Sequence, residues 1–287
     1  MADALRRLVE AELGRPVDPR VTAMAYAIAA RHGSASRAVL FYGSCLREKQ
    51  LDGLMLDFYL IVSDYREAYD KGWLAKANAL IPPNVFPFHH NGLAAKYAVL
   101  SEADFHRLNG PETRNVSVWA RFAQPSRLIW ARDDDARRKA IGAVSRAAPS
   151  LLAAARPHPA GDELEPWRHA FSLTYSAELR AERKGRSGSI VDTDPDRYRR
   201  FLAPALEAIE PTATQGNWPR RRLEGKLLSV VRLAKASLTY AGGAEYIAWK
   251  INRHAGTDIE LKPWQKRHPL LAAISLLPRL LRSGAIR

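Results

Sequence analysis

Two short apolar runs, separated by a glycine-serine break and a polar loop, constrain this chain more than any other feature. The first, AVLFYGSC from Ala38 to Cys45, is β-favourable and reads as a buried strand that ends in a turn at Gly43-Ser44. The second spans Leu54 to Val62 and lies between Asp52-Gly53 and Ser63-Asp64, both turn-prone pairs. An aspartate sits inside it, at position 57 of MLDFYLIV. Such an acid is costly to bury unless it is paired or metal-bound, which places Asp57 at an active surface; a strand-end aspartate accepting a backbone N–H is the alternative.

The rest of the chain reads as strands and helices mixed, then helices alone. Glu67 to Ile81 has helix-forming composition and stops at Pro82-Pro83, because proline lacks a donor and disfavours helix in the residue before it. Ala95 to Leu100 and Ser126 to Trp130 are further short strands, with a helix at Ala103 to Leu108 between them. Asp133 to Ala155 reads as a helix, and Pro157 to Pro166 as a linker. Beyond it, helices are expected at Trp167 to Arg183, Pro195 to Ile209, Arg221 to Tyr240 and Ala244 to His254. The expected architecture is α/β (α+β): a mixed-sheet domain over 1–156, a mainly helical domain over 167–260 with a winged helix as one form open to it, and a basic amphipathic segment over 261–287.

Charge bears on partners. The formal net charge is +14, and from Gly216 onward fourteen Lys and Arg face only four Asp and Glu. Polyanionic partners follow, with contact concentrated in the last quarter. The single cysteine, Cys45, excludes an intramolecular disulfide or a multi-cysteine zinc site. The first residues lack an apolar leader and read as an amphipathic helix over 2–12, and no run of about 18 apolar residues occurs, so membrane contact is expected to be peripheral. The tail HPLLAAISLLPRLLRSGAIR, preceded by Trp264, Lys266 and Arg267, suits either an interfacial helix on an anionic surface or a helix docked on the protein's own core.

The strand, Gly43-Ser44 turn and carboxylate-bearing second strand resemble the nucleotidyltransferase superfamily. Glycine lets the backbone approach a triphosphate, while amides at the start of a following helix and the Ser44 hydroxyl can bond its oxygens. A carboxylate on the neighbouring strand can hold Mg²⁺, which neutralises charge developing at the α-phosphorus. A wider resemblance, in order along the chain, is to the Tam-type, mitochondrial-like phosphatidate cytidylyltransferases, or CDP-diacylglycerol synthases. It is carried by FYGSCLREK, MLDF (Met55 to Phe58), KYAVLS (Lys96 to Ser101), WARFAQPSRLI, LTYSAELR and KASLTYAGGAEYIAWKI (Lys235 to Ile251).

That resemblance implies transfer of a cytidylyl group from CTP to phosphatidate, with pyrophosphate expelled, at a membrane surface. The first residues do not read as a presequence, so a cytoplasmic protein held peripherally at a bacterial inner membrane is expected ahead of one on the mitochondrial matrix face, and no nucleic acid is expected as partner. Gly43 and Ser44 would bind the triphosphate, Asp57 Mg²⁺, and Lys96 would face phosphate with Tyr97 beside it. Arg121 joins the nucleotide-binding candidates. Tyr175, Glu178, Arg180 and Lys235 are the candidates from the second part. Two departures stand out. Only one of the usual two carboxylates is visible, leaving Asp52 or Glu178 as second metal ligand, and Cys45 replaces a glycine of the family's turn. Glu102, Asp104 and Asp133 to Asp135 read as helix starts, the pair His89-His90 as solvated or hydrogen-bonded, and the basic loop Arg183 to Arg186 as surface. A nucleotidyltransferase acting on nucleic acid or protein, or a non-catalytic basic module, are the competing readings.

Overall fold

The computed structural model describes residues 2–48, 50–178, 190–211, 213, 215–239 and 262–263. In chain order the elements are α1 (Ala2–Leu13), α2 (Pro19–Arg31), β1 (Ser36–Tyr42), β2 (Met55–Val62), α3 (Tyr65–Ala68), α4 (Gly72–Leu80), β3 (Asn84–His90), β4 (Leu93–Ser101), α5 (Glu102–Asn109), α6 (Trp119–Phe122), β5 (Ser126–Ala131), α7 (Asp134–Ser145), α8 (Ala147–Ala154), α9 (Glu165–Ala177), α10 (Pro195–Glu207) and α11 (Trp218–Thr239). Short 3-10 turns lie at Gly33–Ala35 and Ser44–Arg47.

The five strands form one mixed sheet in the order β3-β4-β2-β1-β5, parallel only between β2 and β4. This is the expected α/β architecture. All four strands read from the sequence form, within a few residues. β3 is a fifth strand beyond those four; its Pro87 cannot donate to a ladder and is tolerated because β3 lies at the sheet edge. The helix expected from Glu67 is two helices broken at the extended residue Tyr69, whose ring is buried. The helix expected from Asp133 also breaks, at Arg146: the ring of Pro149 would collide with the Ser145 carbonyl if the turn continued. The acids read as helix starts are that. Ser101 and Asp133 cap α5 and α7 by accepting from Asp104 N and Ala136 N, and Arg37 pairs with Glu102, Asp133 and Asp135.

Strand alternation sends side chains to two separate cores. Leu56, Phe58, Leu60 and Val62 of β2 face one side with Tyr97 and Val99 of β4, covered by α2, α3 and α4. Tyr59 and Ile61 face the other with Ala98 and Leu100, and this core continues without a break into Trp167 and Phe171 of α9 and Tyr198 and Phe201 of α10. The segment expected to separate two domains therefore does not separate two cores. Each large side chain buried there contributes roughly 1.5–3 kcal/mol.

Polar clamps fix the helical layer on the sheet. Trp167 Nε1 donates to Tyr198 O at 2.9 Å, Trp218 Nε1 to Ala154 O at 3.0 Å. The Arg197 guanidinium, buried on α10, pairs with the equally buried Glu12 of α1 at 2.5 Å. Where α11 crosses the end of α9, a Cβ on Gly225 would lie 2.1 Å from the Ala177 carbonyl oxygen. Only glycine permits that approach, which sets the distance between Glu178 and the face of α11 that follows. Among the described residues no helix is long and apolar enough to cross a membrane. Apart from Lys262 and Pro263, the expected tail segment over 261–287 lies outside the described residues, as do the helix expected at Ala244 to His254, the loop Arg183 to Arg186, and Arg180.

Candidate active site

β1 and β2 meet at the end of the sheet where the glycine-serine turn leaves it. The antiparallel register places Tyr42 opposite Asp57. Gly43 follows with φ +95° and ψ −170°, a backbone region essentially closed to residues with a side chain. A Cβ built there would come 3.3 Å from Asp57 Oδ2. The glycine thus does two things: it takes a conformation other residues avoid, and it leaves the Asp57 carboxylate in contact with bare backbone. Ser44 is exposed and opens a single 3-10 turn closed by Leu46 N donating to Gly43 O at 3.2 Å. The sequence predicted a helix N-terminus here. Four residues of 3-10 turn give a ring of amides without a macrodipole of any length.

Parallel pairing of β2 with β4 sets Asp57 beside Lys96. The ammonium lies 3.1 Å from Asp57 Oδ1, and each side chain is 24% exposed, open to the surface yet short of full hydration. Oδ1 itself is buried and receives no hydrogen bond of good geometry. The contact is charge against charge, with an acceptor still unfilled.

The same face of the sheet carries Tyr42 and Tyr59, with ring centroids 5.2 Å apart, and Phe122 of α6 closes on both. Burial, and then the Asp57 carboxylate, raise the Tyr42 hydroxyl well above its usual range; burial raises Tyr59 too. Both stay protonated. Arg121 reaches this cluster from α6, its Nη1 bonded to the Ser117 carbonyl and 3.6 Å from Glu178 at the end of α9. Burial opposes its charge, but Glu178, Tyr59, Tyr42 and Asp57 outweigh that, so the guanidinium is held more firmly than usual. Of the sequence candidates, Gly43, Ser44, Asp57, Lys96, Arg121 and Glu178 therefore gather on one side and one end of the sheet.

Two others do not. Tyr97 alternates to the opposite face, where it is buried and bonded to His32 Nε2 at 3.1 Å; strand periodicity puts it out of reach of a nucleotide on the Lys96 side. Asp52 lies in the exposed turn before β2 and pairs with Arg20 of α2 at 3.1 Å, in the layer behind the sheet, so it is not the second metal ligand. Lys235 of α11 is committed to backbone, donating to Ile81 O and, at 2.9 Å, to Pro83 O. Burial next to Arg232 pushes its ammonium down to about 7. Tyr175 is partly buried against the helical core. Cys45 is buried, its thiol directed at Met55 O and raised by that burial and by Asp57; nothing in that setting makes a nucleophile. His90 stacks on Phe88 at 6.3 Å.

Sequence reasoning missed Arg232 and Ser117. Arg232 Nε donates to Pro82 O at 2.9 Å and Nη1 to Ser117 Oγ at 2.8 Å. No motif marks either residue, because what unites them is the packing of α11 across β3.

Among the described residues no three Asp, Glu, His or Cys side chains converge on a common point. The residues present do not fit a resident magnesium: Asp57 is a single carboxylate, and Lys96 already stands against it. Mg²⁺ held by one carboxylate takes its remaining ligands from water and substrate phosphates. A cavity of about 240 Å³ lined by Leu5, Pro111, Arg146, Ser150 and Glu210 contains none of the candidate side chains.

No family model matches the chain, and no curated protein matches it either. Among solved structures, a nucleotidyltransferase-like protein from Exiguobacterium sibiricum is similar at 12% identity over 92% of each chain, with a TM-score of 0.29. A likeness at that score carries no argument about this chain, whose site stands on its own geometry.

Proposed function

We propose that the Gly43-Ser44 turn and Lys96, held in place by Asp57, bind the phosphates of a nucleoside triphosphate, and that the chain is a nucleotidyltransferase. The observation that carries this is Gly43, held in a glycine-only conformation against Asp57 at the open end of the strand pair. Such a turn lets phosphate oxygens approach bare backbone, with the Ser44 hydroxyl as a further donor. Lys96 and Arg121 supply positive charge on the same face.

The finer reading is cytidylyl transfer from CTP to phosphatidate at an anionic membrane surface, as the sequence resemblance implies. A phosphate monoester oxygen attacks the α-phosphorus of CTP; the new P–O bond forms as the bond to pyrophosphate breaks, and pyrophosphate leaves with the displaced electron pair. The attacking oxygen is already ionised near neutral pH, so no general base is required. Positioning and neutralisation by Lys96 and Arg121 do the work.

A second reading has one observation in its favour. The carboxylate that would serve catalysis is countered by Lys96, and among the described residues no acidic cluster surrounds it; that suits a module that binds phosphate without turning it over. Labelled CTP, Mg²⁺ and phosphatidate vesicles separate the readings. CDP-diacylglycerol with stoichiometric pyrophosphate supports lipid transfer, and label on added RNA or protein supports a different acceptor. CTP binding with no product under any of these conditions favours the non-catalytic module.

A further inference from the structure

Ser117 gathers two arginines. Its carbonyl accepts from Arg121 Nη1, and its hydroxyl accepts from Arg232 Nη1 at 2.8 Å. Lys235, three residues beyond Arg232 on α11, adds a third cation on the adjoining carbonyls of Ile81 and Pro83. Against these three stands Glu178, 3.6 Å from Arg121. Among the described residues no carboxylate lies within ion-pair distance of Arg232 or Lys235. Asp57 favours the charge of Arg121 but is itself countered by Lys96.

Among the described residues these partly buried cations outnumber their counter-charges, which is unfavourable, since neutral carbonyl and hydroxyl acceptors replace the lost hydration without cancelling the charge. Burial indeed lowers the affinity of both Arg232 and Lys235 for their protons. Helix docking accounts for part of the arrangement, because Arg232 grips Pro82 O through Nε and Nη2. It does not account for a second guanidinium brought to the same serine. Two adjacent guanidinium forks match the oxygens of a phosphate dianion, which accepts paired, charge-assisted hydrogen bonds.

We propose that Arg121 and Arg232, spaced by Ser117, form a binding site for the phosphate dianion of a monoester, and that this monoester is the acceptor of the transfer reaction. The word acceptor rests on the nucleotidyltransferase reading; the anion site does not. The ligand's phosphate is either a lipid headgroup or a soluble ester, and the two are told apart by measurement.

The test uses the full chain without nucleotide. Binding is titrated with soluble glycerol phosphate and, separately, with phosphatidylcholine vesicles with and without phosphatidate. CTP affinity is measured in parallel. Arg232→Gln should weaken phosphate monoester binding by about 10- to 100-fold, the range expected for loss of a charge-assisted bond, and leave CTP binding within about twofold. Phosphatidate-dependent vesicle binding that is lost in the variant identifies a lipid headgroup; loss confined to glycerol phosphate identifies a soluble ester. Unchanged monoester binding by a folded Arg232→Gln variant overturns the proposal, as does a wild-type chain that binds neither source. If that variant fails to fold, Ser117→Ala decides, since it removes the spacer and no charge: roughly fivefold weaker monoester binding supports the site, and unchanged binding overturns it. Monoester binding that depends on Arg232 in a chain with no affinity for CTP keeps the anion site and sinks the transfer reading instead.

Discussion

Gly43→Ala perturbs one methyl group at the point where the candidate site and the fold meet. Two costs arise. The backbone at φ +95° and ψ −170° lies in a region where a residue with a side chain is penalised by about 1–3 kcal/mol. The added Cβ also meets Asp57 Oδ2 at 3.3 Å, so the carboxylate must give by a few tenths of an ångström while Lys96 holds its other oxygen at 3.1 Å. If the turn stays in place, unfolding free energy falls by that 1–3 kcal/mol. With a urea dependence of about 2–3 kcal/mol/M, the midpoint drops by roughly 0.3–1.5 M. If the turn relaxes instead, Ser44 moves away from Asp57 and CTP affinity falls. Tryptophan fluorescence in urea and a CTP titration measure the two outcomes together. Gly53→Ala is the control: its φ is +75° with nothing within 4 Å of a Cβ, so it should cost about 1 kcal/mol and leave CTP binding alone. A Gly43→Ala protein with wild-type midpoint and wild-type CTP affinity refutes both the strain and the role of the turn.

Further outcomes follow from named contacts. Asp57→Asn should keep the fold, because a partly exposed ion pair is worth at most about 1 kcal/mol, yet lower turnover by about 100-fold by releasing Lys96 from its place; normal turnover shows that Asp57 does not position Lys96 for the chemistry. Glu12→Gln leaves the buried Arg197 guanidinium without its counter-charge and should cost about 3–5 kcal/mol in a urea titration, against a loss under 1 kcal/mol if the pair were merely superficial. His32 gives a pH dependence. Burial lowers its folded pKa below the ordinary 6.5, so below that pH the unfolded chain takes up the proton first. Stability should be complete above about pH 6.5 and decline as pH falls through the depressed value, at no more than about 1.4 kcal/mol per pH unit. His106, lowered by burial and by Arg146, contributes with the same sign. Wild type and His32→Gln giving parallel stability profiles between pH 7 and pH 5 would exclude His32 as the source.

The sequence by itself determined four of the five strands, their order of appearance and the turn between the first two, because each is written in contiguous residues. Apolar runs, a Gly-Ser break and an aspartate at a fixed offset need no knowledge of what packs where. It also located Gly43, Ser44, Asp57 and Lys96. Tertiary structure alone decided which of the candidates share a surface. Tyr97 is the neighbour of Lys96 in sequence and points the opposite way, since successive side chains on a strand leave by opposite faces. Asp52, five residues before Asp57, belongs to Arg20 behind the sheet. Arg232 comes to Ser117 across 115 residues because Gly225 lets α11 lie against the end of α9. No local pattern records such a meeting. It arises from the close packing of one helix on another, and that depends on side chains far apart in the chain filling one shared volume.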